Sequence, residues 1–183
     1  TDHGEEFYEH GGVGHGRLHE EHVRVPLVIH HPQIRRGSRT SRLTSNVDLA
    51  PSLAAMAGLP WLHPCDGVSV LAPEPPRDRV ISVAMTGPKY RGATILHDGK
   101  RLIVTCLPEH RVELYDLSTD ARALTDLVAE RPAVARALES ELWAAFGPGG
   151  CDEILGVGGA PGAETAPLEP KTVDSLRALG YVE

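Results

Sequence analysis

Between residues 79 and 117 four short segments follow one another, RVISVAMT, RGATILH, KRLIVTC and HRVELYDL. Each is rich in β-branched and aliphatic residues and each is bounded by turn residues, a pattern that predicts an antiparallel meander of about four strands. The second and third are joined by His97-Asp98-Gly99-Lys100. Asp-Gly accepts the positive φ that a tight hairpin turn requires, so this connection pins the register of the meander.

Around the meander the sequence changes character. Residues 1–22, TDHGEEFYEHGGVGHGRLHEEH, are crowded with Gly, His and Glu and show no apolar period, which predicts a loop with at most a short helical turn. The run VRVPLVIHHP that follows reads as a buried strand, with Pro26 placing its start at an edge or bulge. The stretch TSNVDLAPSLAAMAGLP predicts a helix capped by Ser45 or Asn46, with Leu49, Leu53 and Met56 on its apolar stripe and Gly58 and Pro60 as its stop. A proline-rich connection covers residues 60–78. After the meander, helical patterns run over Ala121–Glu130 and Pro132–Phe146, the latter with Pro132 in a first-turn position. Residues 147–170 are glycine-rich and residues 172–183 predict a short terminal helix. The division expected is 1–75, part of an α/β layer; 76–146, the meander with its helices; and 147–183, a glycine-rich linker and short helix.

Composition excludes several function classes. The net charge is −7 and no basic patch appears, which argues against a nucleic-acid partner. No apolar run approaches the length of a membrane span. Cys65, Cys106 and Cys151 are an odd, scattered set, so neither a disulfide framework nor a CxxC metal site is expected. The first residue is Thr1 rather than Met and no secretory leader is read, so the expectation is a fragment whose compartment, exported or cytoplasmic, stays open.

The chemistry concentrates in the opening segment. Of ten histidines, seven are His3, His10, His15, His19, His22, His30 and His31. Asp2 and His3 are adjacent, and both are good ligands for a divalent cation. Neighbours on a regular strand point to opposite faces, but at a strand end they can converge, and Gly4 permits the turn. Taken alone the tripeptide reads as a solvated turn. His19-Glu20-Glu21-His22 is one position short of the HExxH zinc helix.

The whole stretch TDHGEEFYEHGGVGHGRLHEEHVRVPLVIHHP resembles the later half of the sulfatase family, in the alkaline-phosphatase-like superfamily. Members carry Ser-Asp-His-Gly-Glu, Gly-Glu-His-Gly, Gly-His-Gly or Gly-Lys, Leu-Tyr-Glu-Glu and Arg-Val-Pro-Leu-Ile in that order. NVDLAPSLAAMAGLP, DGVSVL, VELYDLSTDARALTDLV and LRALGYVE match later family segments, again in order, so the resemblance covers nearly the whole chain. It implies the C-terminal portion of an alkaline-phosphatase-like α/β/α sandwich, followed by a small antiparallel sheet and C-terminal helices.

The resemblance also implies roles. Asp2 and His3 match the later pair of metal ligands, for calcium first, with manganese or zinc as alternatives because imidazole is a softer donor. His15 matches the residue that contacts the sulfate and its bridging oxygen, where an imidazolium would stabilise negative charge or protonate the leaving alcohol. His10 matches a loop-shaping position that orients a ligand. His22, His30, His31, His63, His97 and His110 are expected in structural or surface roles. Two departures stand out: His19 replaces the usual Tyr, and the segment between Gly16 and Leu18 is one residue shorter. No cysteine lies in the Cys/Ser-x-Pro-x-Arg motif that yields the formylglycine nucleophile. That group, with the other metal ligands, is expected upstream of Thr1. The implied reaction is sulfuric ester hydrolysis on a small-molecule or glycan sulfate ester, carried out with the missing N-terminal part of the same polypeptide and not by this chain alone. The alternatives are a phosphodiester or phosphonate monoester hydrolase of the same superfamily, a non-catalytic degenerate relative, and a small free-standing domain.

Overall fold

The structure is a computed structural model that describes residues 2–156, apart from 33, 62–63, 73–76 and 87–88. Its centre is the meander: β3 (Arg79–Thr86), β4 (Tyr90–His97), β5 (Lys100–Leu107) and β6 (Arg111–Asp116) pair antiparallel in that order. Asp98 and Gly99 take φ of 48° and 69°, the left-handed pair that a two-residue turn needs, and His97 faces Lys100 across it. One register shift, between Arg91 and Gly92, interrupts the β4–β5 ladder.

Strand alternation gives this sheet two different faces. Ala93, Ile95, Leu102, Val104, Cys106 and Leu114 point to one side, where they pack against Ala135, Leu138 and Leu142 of α3 (Pro132–Ala144) and Ile154 of α4 (Cys151–Leu155). Pro132 opens α3, where a missing N–H costs nothing. The residues between them, Thr94, Arg101, Ile103, Thr105, Glu113 and Tyr115, point to the other side and are buried there by the opening segment. That segment contains a small hairpin, β1 (Glu6–Phe7) with β2 (Val13–Gly14), and one helical turn, α1 (Glu20–Val23). Leu18 anchors it in a second apolar cluster with Ala84, Ile103, Tyr115 and Ala123.

Several expectations fail, each for an identifiable reason. The run after Val23 is not a strand: no neighbour pairs with it among the described residues, and Val28 is 91% exposed. The helix over 45–60 does form, as a 3-10 turn Asn46–Asp48 leading into α2 (Leu49–Met56), and Gly58 ends it with φ 68°. Yet its buried face is polar. Asp48 and Ser52 are buried while Leu53 is 65% exposed. The Asp48 carboxylate accepts the N–H groups of Ser45 (2.9 Å) and Val68 (2.8 Å) and pairs with Arg77, and Ser52 Oγ accepts from Val70 N–H (2.9 Å). Hydrogen bonding to the 66–70 segment, rather than the apolar stripe, orients the helix.

The helical pattern at Ala121–Glu130 is a series of turns. Its backbone donors are claimed elsewhere: Leu124 and Thr125 N–H by the Asp120 carboxylate, Val128 N–H by Asp126, and Leu127 N–H by the Leu114 carbonyl at 2.7 Å. The cysteine expectation is also corrected. Cys106 and Cys151 form a disulfide, with Cα atoms 5.6 Å apart, because α4 packs over the end of β5; Cys65 is free and exposed. The glycine-rich 147–170 stretch therefore begins with an ordered helix, while the rest of it and the terminal helix of 172–183 lie outside the described residues. No helix among the described residues is long and apolar enough to cross a membrane.

Candidate active site

The opening segment is organised around a buried carboxylate. Glu6 is 1% exposed and accepts Gly12 N–H (2.8 Å) and His10 N–H (3.0 Å), with His22 Nε2 at 3.2 Å and Arg17 Nη1 at 3.7 Å. Burial alone would raise its pKa, but these donors outweigh it and hold the carboxyl below its ordinary value. The result is a closed hairpin loop that carries His15 on its return limb. Gly14 and Gly16 flank His15 at φ 100° and 110°, a backbone that a side chain rarely tolerates. Gly16 is docked on the end of β3, where Thr86 Oγ1 donates to its carbonyl at 3.1 Å.

A second constraint sets the Asp2-His3-Gly4 turn. Gly4 N–H donates to the His22 carbonyl at 2.8 Å, and a Cβ on Gly4 would sit 1.9 Å from the Glu21 carbonyl oxygen. Only glycine fits this approach. Asn46, at the start of the 3-10 turn, donates to the Asp2 carbonyl at 2.9 Å and fixes the other side of the turn.

These two constraints bring together three residues singled out in the sequence. His3 Nε2 lies 3.9 Å from Asp2 Oδ2, and the His3 and His15 rings lie 4.4 Å apart. His15 Nδ1 lies 3.3 Å from Glu5 Oε2. All four groups face solvent, Asp2 with 88% of its side chain exposed. The Asp2 carboxyl is held below its ordinary value, by a hydrogen bond from its own backbone N–H and by the nearby His3. Glu5 closes the Asp2-His3-Gly4-Glu5 motif, but the hairpin pairing of Glu6 with Gly14 is what reveals that it sits beside His15.

One ligand atom each of His3, Glu5 and His15 lie within 4.8 Å of one another on this face. His3 Nδ1 lies 2.9 Å from the Gly4 carbonyl, which fixes the ring beside the turn.

His10 goes elsewhere. Its ring is half-buried, stacked on His19 at a centroid distance of 4.0 Å, with Nε2 3.0 Å from the Ala123 carbonyl and Nδ1 3.1 Å from Glu21 Oε1. Burial, then the neighbouring His19, pushes its pKa down. Glu20 is buried too, paired with Arg101 of β5, and the Arg101 Nη1 donates to Thr94 Oγ1 at 3.2 Å. Glu113 of β6 faces His19 at 3.8 Å and accepts from Tyr115 Oη at 2.9 Å. Nothing in the order of residues announces the Glu20–Arg101 and His19–Glu113 partnerships, which join positions more than 80 residues apart.

Known proteins share both the sequence and the fold. Residues 1–59 match the family model Sulfatase. The chain is 33% identical to the choline-sulfatase of Rhizobium meliloti (strain 1021) over 141 residues, 72% of this chain and 26% of that protein. It is 26% identical to arylsulfatase K of Bos taurus over 159 residues, 78% of this chain and 29% of that one. Among solved structures it resembles BT4656 in complex with its substrate D-glucosamine-2-N,6-O-disulfate, with a TM-score of 0.70 and 25% identity over 78% of this chain and 32% of that one. The chain thus spans less than a third of the length of each of these. The mixed strands and helices, with the four-stranded antiparallel sheet and the helices after it, follow the alkaline-phosphatase-like sulfatase fold. Matching motifs, matching sequence and matching fold together make the chain a member of the sulfatase family.

Proposed function

We propose that this chain is the C-terminal part of a metal-dependent sulfuric ester hydrolase and supplies half of its active site. The observation that carries the reading is the convergence of Asp2, His3 and His15 on one exposed face of the opening segment. Asp2 and His3 would hold a divalent cation, calcium first and manganese or zinc otherwise; the cation, when bound, supplies positive charge against the sulfate oxygens.

The chain's own residues do the rest. His15 faces the ester beside the metal pair. Its imidazole, held through Nδ1 by Glu5, presents Nε2 to the leaving oxygen and gives it a proton as the ester bond breaks. Glu6 and the Gly14 and Gly16 backbone keep that ring in place. His10 and Glu21 order the loop behind it. The nucleophile, a formylglycine, and the remaining metal ligands come from outside the chain.

Two exposed apolar surfaces support a continuation of the α/β layer: the extended run with Leu27 and Val28 uncovered, and the Val47 and Leu53 face of the α2 region. Both are apolar surfaces of the kind a neighbouring strand or helix covers. The substrate is a sulfate ester, small or carried on a glycan; the substrate bound to BT4656 is a disulfated glucosamine.

The test is made on the full-length polypeptide. Aryl sulfate and aryl phosphodiester are assayed side by side; preference for the sulfate is expected, and preference for the phosphodiester replaces this reading with the phosphodiesterase one. His15→Ala is expected to lower kcat by at least 100-fold, the scale of a lost general acid, with bound metal unchanged. Asp2→Ala with His3→Ala is expected to lose the metal. Wild-type turnover in His15→Ala removes the role assigned to His15.

A further inference from the structure

The net charge of −7 is unevenly spread along the chain. From His22 to Val47 there is no Asp or Glu, yet the stretch carries Arg24, Arg35, Arg36, Arg39 and Arg42. The expectation that no basic patch exists therefore fails locally, on the loop between the extended run and the α2 region.

Two anchors hold this loop. His31 Nε2 lies 3.1 Å from the Met56 carbonyl at the end of α2, and Arg42 Nη1 donates to the Ala72 carbonyl at 3.2 Å. Between the anchors the backbone makes two turns. Ile34 N–H donates to the His31 carbonyl at 2.9 Å, and Ser38 Oγ donates to the Arg35 carbonyl at 2.7 Å. The turns bend around a cleft of about 420 Å³, lined among others by Ile29, His30, Ile34, Arg35, Arg36 and Ser38. No carboxylate lines it among the described residues.

Arginines elsewhere in the molecule are matched with acids. Arg17, Arg77, Arg79, Arg101, Arg111 and Arg131 each lie within ion-pair distance of a carboxylate. Arg35, Arg36 and Arg39 are exposed and have no such partner among the described residues. Like charges so close in the chain repel one another, and an anion shared between them removes that cost.

The type of cation narrows the ligand. A guanidinium offers paired N–H donors that meet two oxygens of a sulfate or phosphate group at once. The ligand chemistry is thus a tetrahedral oxyanion, and several cations in a row suit several such groups on one carrier. A nucleic acid fits poorly, because no Phe, Tyr or Trp lies between Tyr8 and Trp61 and the strip has no aromatic ring of its own for a base to stack on. A lipid surface fits poorly too, because the strip contains no amphipathic helix.

We propose that Arg35, Arg36 and Arg39, with the cleft beside them, form a docking surface for the sulfate groups of a sulfated glycan, built from none of the residues of the Asp2, His3 and His15 site. The choice of a glycan as the carrier rests on the sulfatase reading; the affinity for oxyanions does not. Such a surface holds a polymeric substrate without taking part in the cleavage of a small one.

The test uses the full-length polypeptide and a heparin dodecasaccharide, with binding read by titration calorimetry. Arg35→Ser with Arg36→Ser is expected to weaken binding by about tenfold or more, through lost charge-assisted contacts, and to flatten its salt dependence. Arg39→Ser is expected to weaken it further. Arg122→Ser with Arg136→Ser removes the same charge from exposed positions elsewhere and is expected to leave binding within about twofold of wild type. Heparin binding that is undetectable in the wild type, or lost equally in both paired variants, overturns the docking surface. So does a DNA duplex, or a vesicle containing phosphatidylserine, that binds more tightly than heparin through the same arginines. Inorganic sulfate that competes as well as heparin at equal sulfate concentration reduces the ligand to the free ion and overturns the glycan. Aryl sulfate turnover is expected to be unchanged in Arg35→Ser with Arg36→Ser. Its absence from the wild type, with arginine-dependent heparin binding retained, overturns the sulfatase reading while the docking surface stands.

Discussion

The two faces of the central sheet are built on opposite principles. On one, Ala93, Ile95, Leu102, Val104 and Leu114 meet α3 and α4 in a dry apolar layer, closed by the Cys106–Cys151 bond. On the other, Arg101, Thr94, Thr105 and Glu113 are equally buried, but under a segment of glycines, histidines and acids. Apolar burial is non-directional, so the helix face can hold its partners firmly without dictating the aim of any one side chain. Charge pairing and hydrogen bonding are directional, and the opening segment, held by such pairs, keeps His3 beside both Asp2 and His15. The same logic continues beyond the sheet, where Asp48 rather than an apolar stripe orients α2.

That contrast can be broken at its most polar point. Arg101→Met leaves Glu20 charged and buried without a partner and is expected to destabilise the chain by about 4 kcal/mol, read as a shift in the urea midpoint. Adding Glu20→Leu should restore most of the loss, since two apolar residues replace a paired charge at little cost. A double variant as unstable as the single one would show that the pair is not the source of the effect.

On the apolar face Leu142→Ala is expected to cost about 3 kcal/mol through the cavity it leaves, with no apolar or polar replacement on the other face able to compensate. Opening the Cys106–Cys151 bond, by Cys106→Ser with Cys151→Ser, is expected to cost about 2–3 kcal/mol, since it frees a loop of 45 residues in the unfolded chain. Labelling of unfolded, unreduced protein should find one free thiol, Cys65; three free thiols would remove the bond from this picture.

The smallest effect is pH-dependent. Burial alone would raise the Asp48 carboxyl, but Arg77 and the Val68 and Ser45 N–H groups outweigh it and hold it below the ordinary 3.8. A carboxyl depressed in the folded state adds stability that is complete above the unfolded value and is lost as pH falls through the folded one. Asp48→Asn is therefore expected to lower stability by about 1–2 kcal/mol at pH 6, with the gap to wild type closing as pH falls below 3.8. A gap that stays constant with pH would mean that Asp48 acts through shape, not charge.

The meander was legible residue by residue because period-two alternation and an Asp-Gly turn are local signals, and α3 because its apolar period and its first-turn proline are contained in it. Asp2, His3 and His15 stand out in the sequence through their glycines and the order of the motifs around them. The failures share a cause. Val25, Leu27 and Val28 have strand character, but a strand exists only with a neighbour to bond. Ala121–Glu130 has helical character, but Asp120, Asp126 and the edge of β6 take its N–H groups. The cysteines are 45 residues apart and nothing local to either one announces the other.

By itself, then, the sequence determined the meander, α3, the family and the glycines at which the chain must turn, since these signals are local or keep a fixed order along the chain. The tertiary structure decided which carboxylate meets which base. Glu6 with His22, Glu20 with Arg101, Glu113 with His19 and Glu5 beside His15 are pairings across the fold, and the energy of a buried charge depends on what surrounds it rather than on what precedes it in the chain.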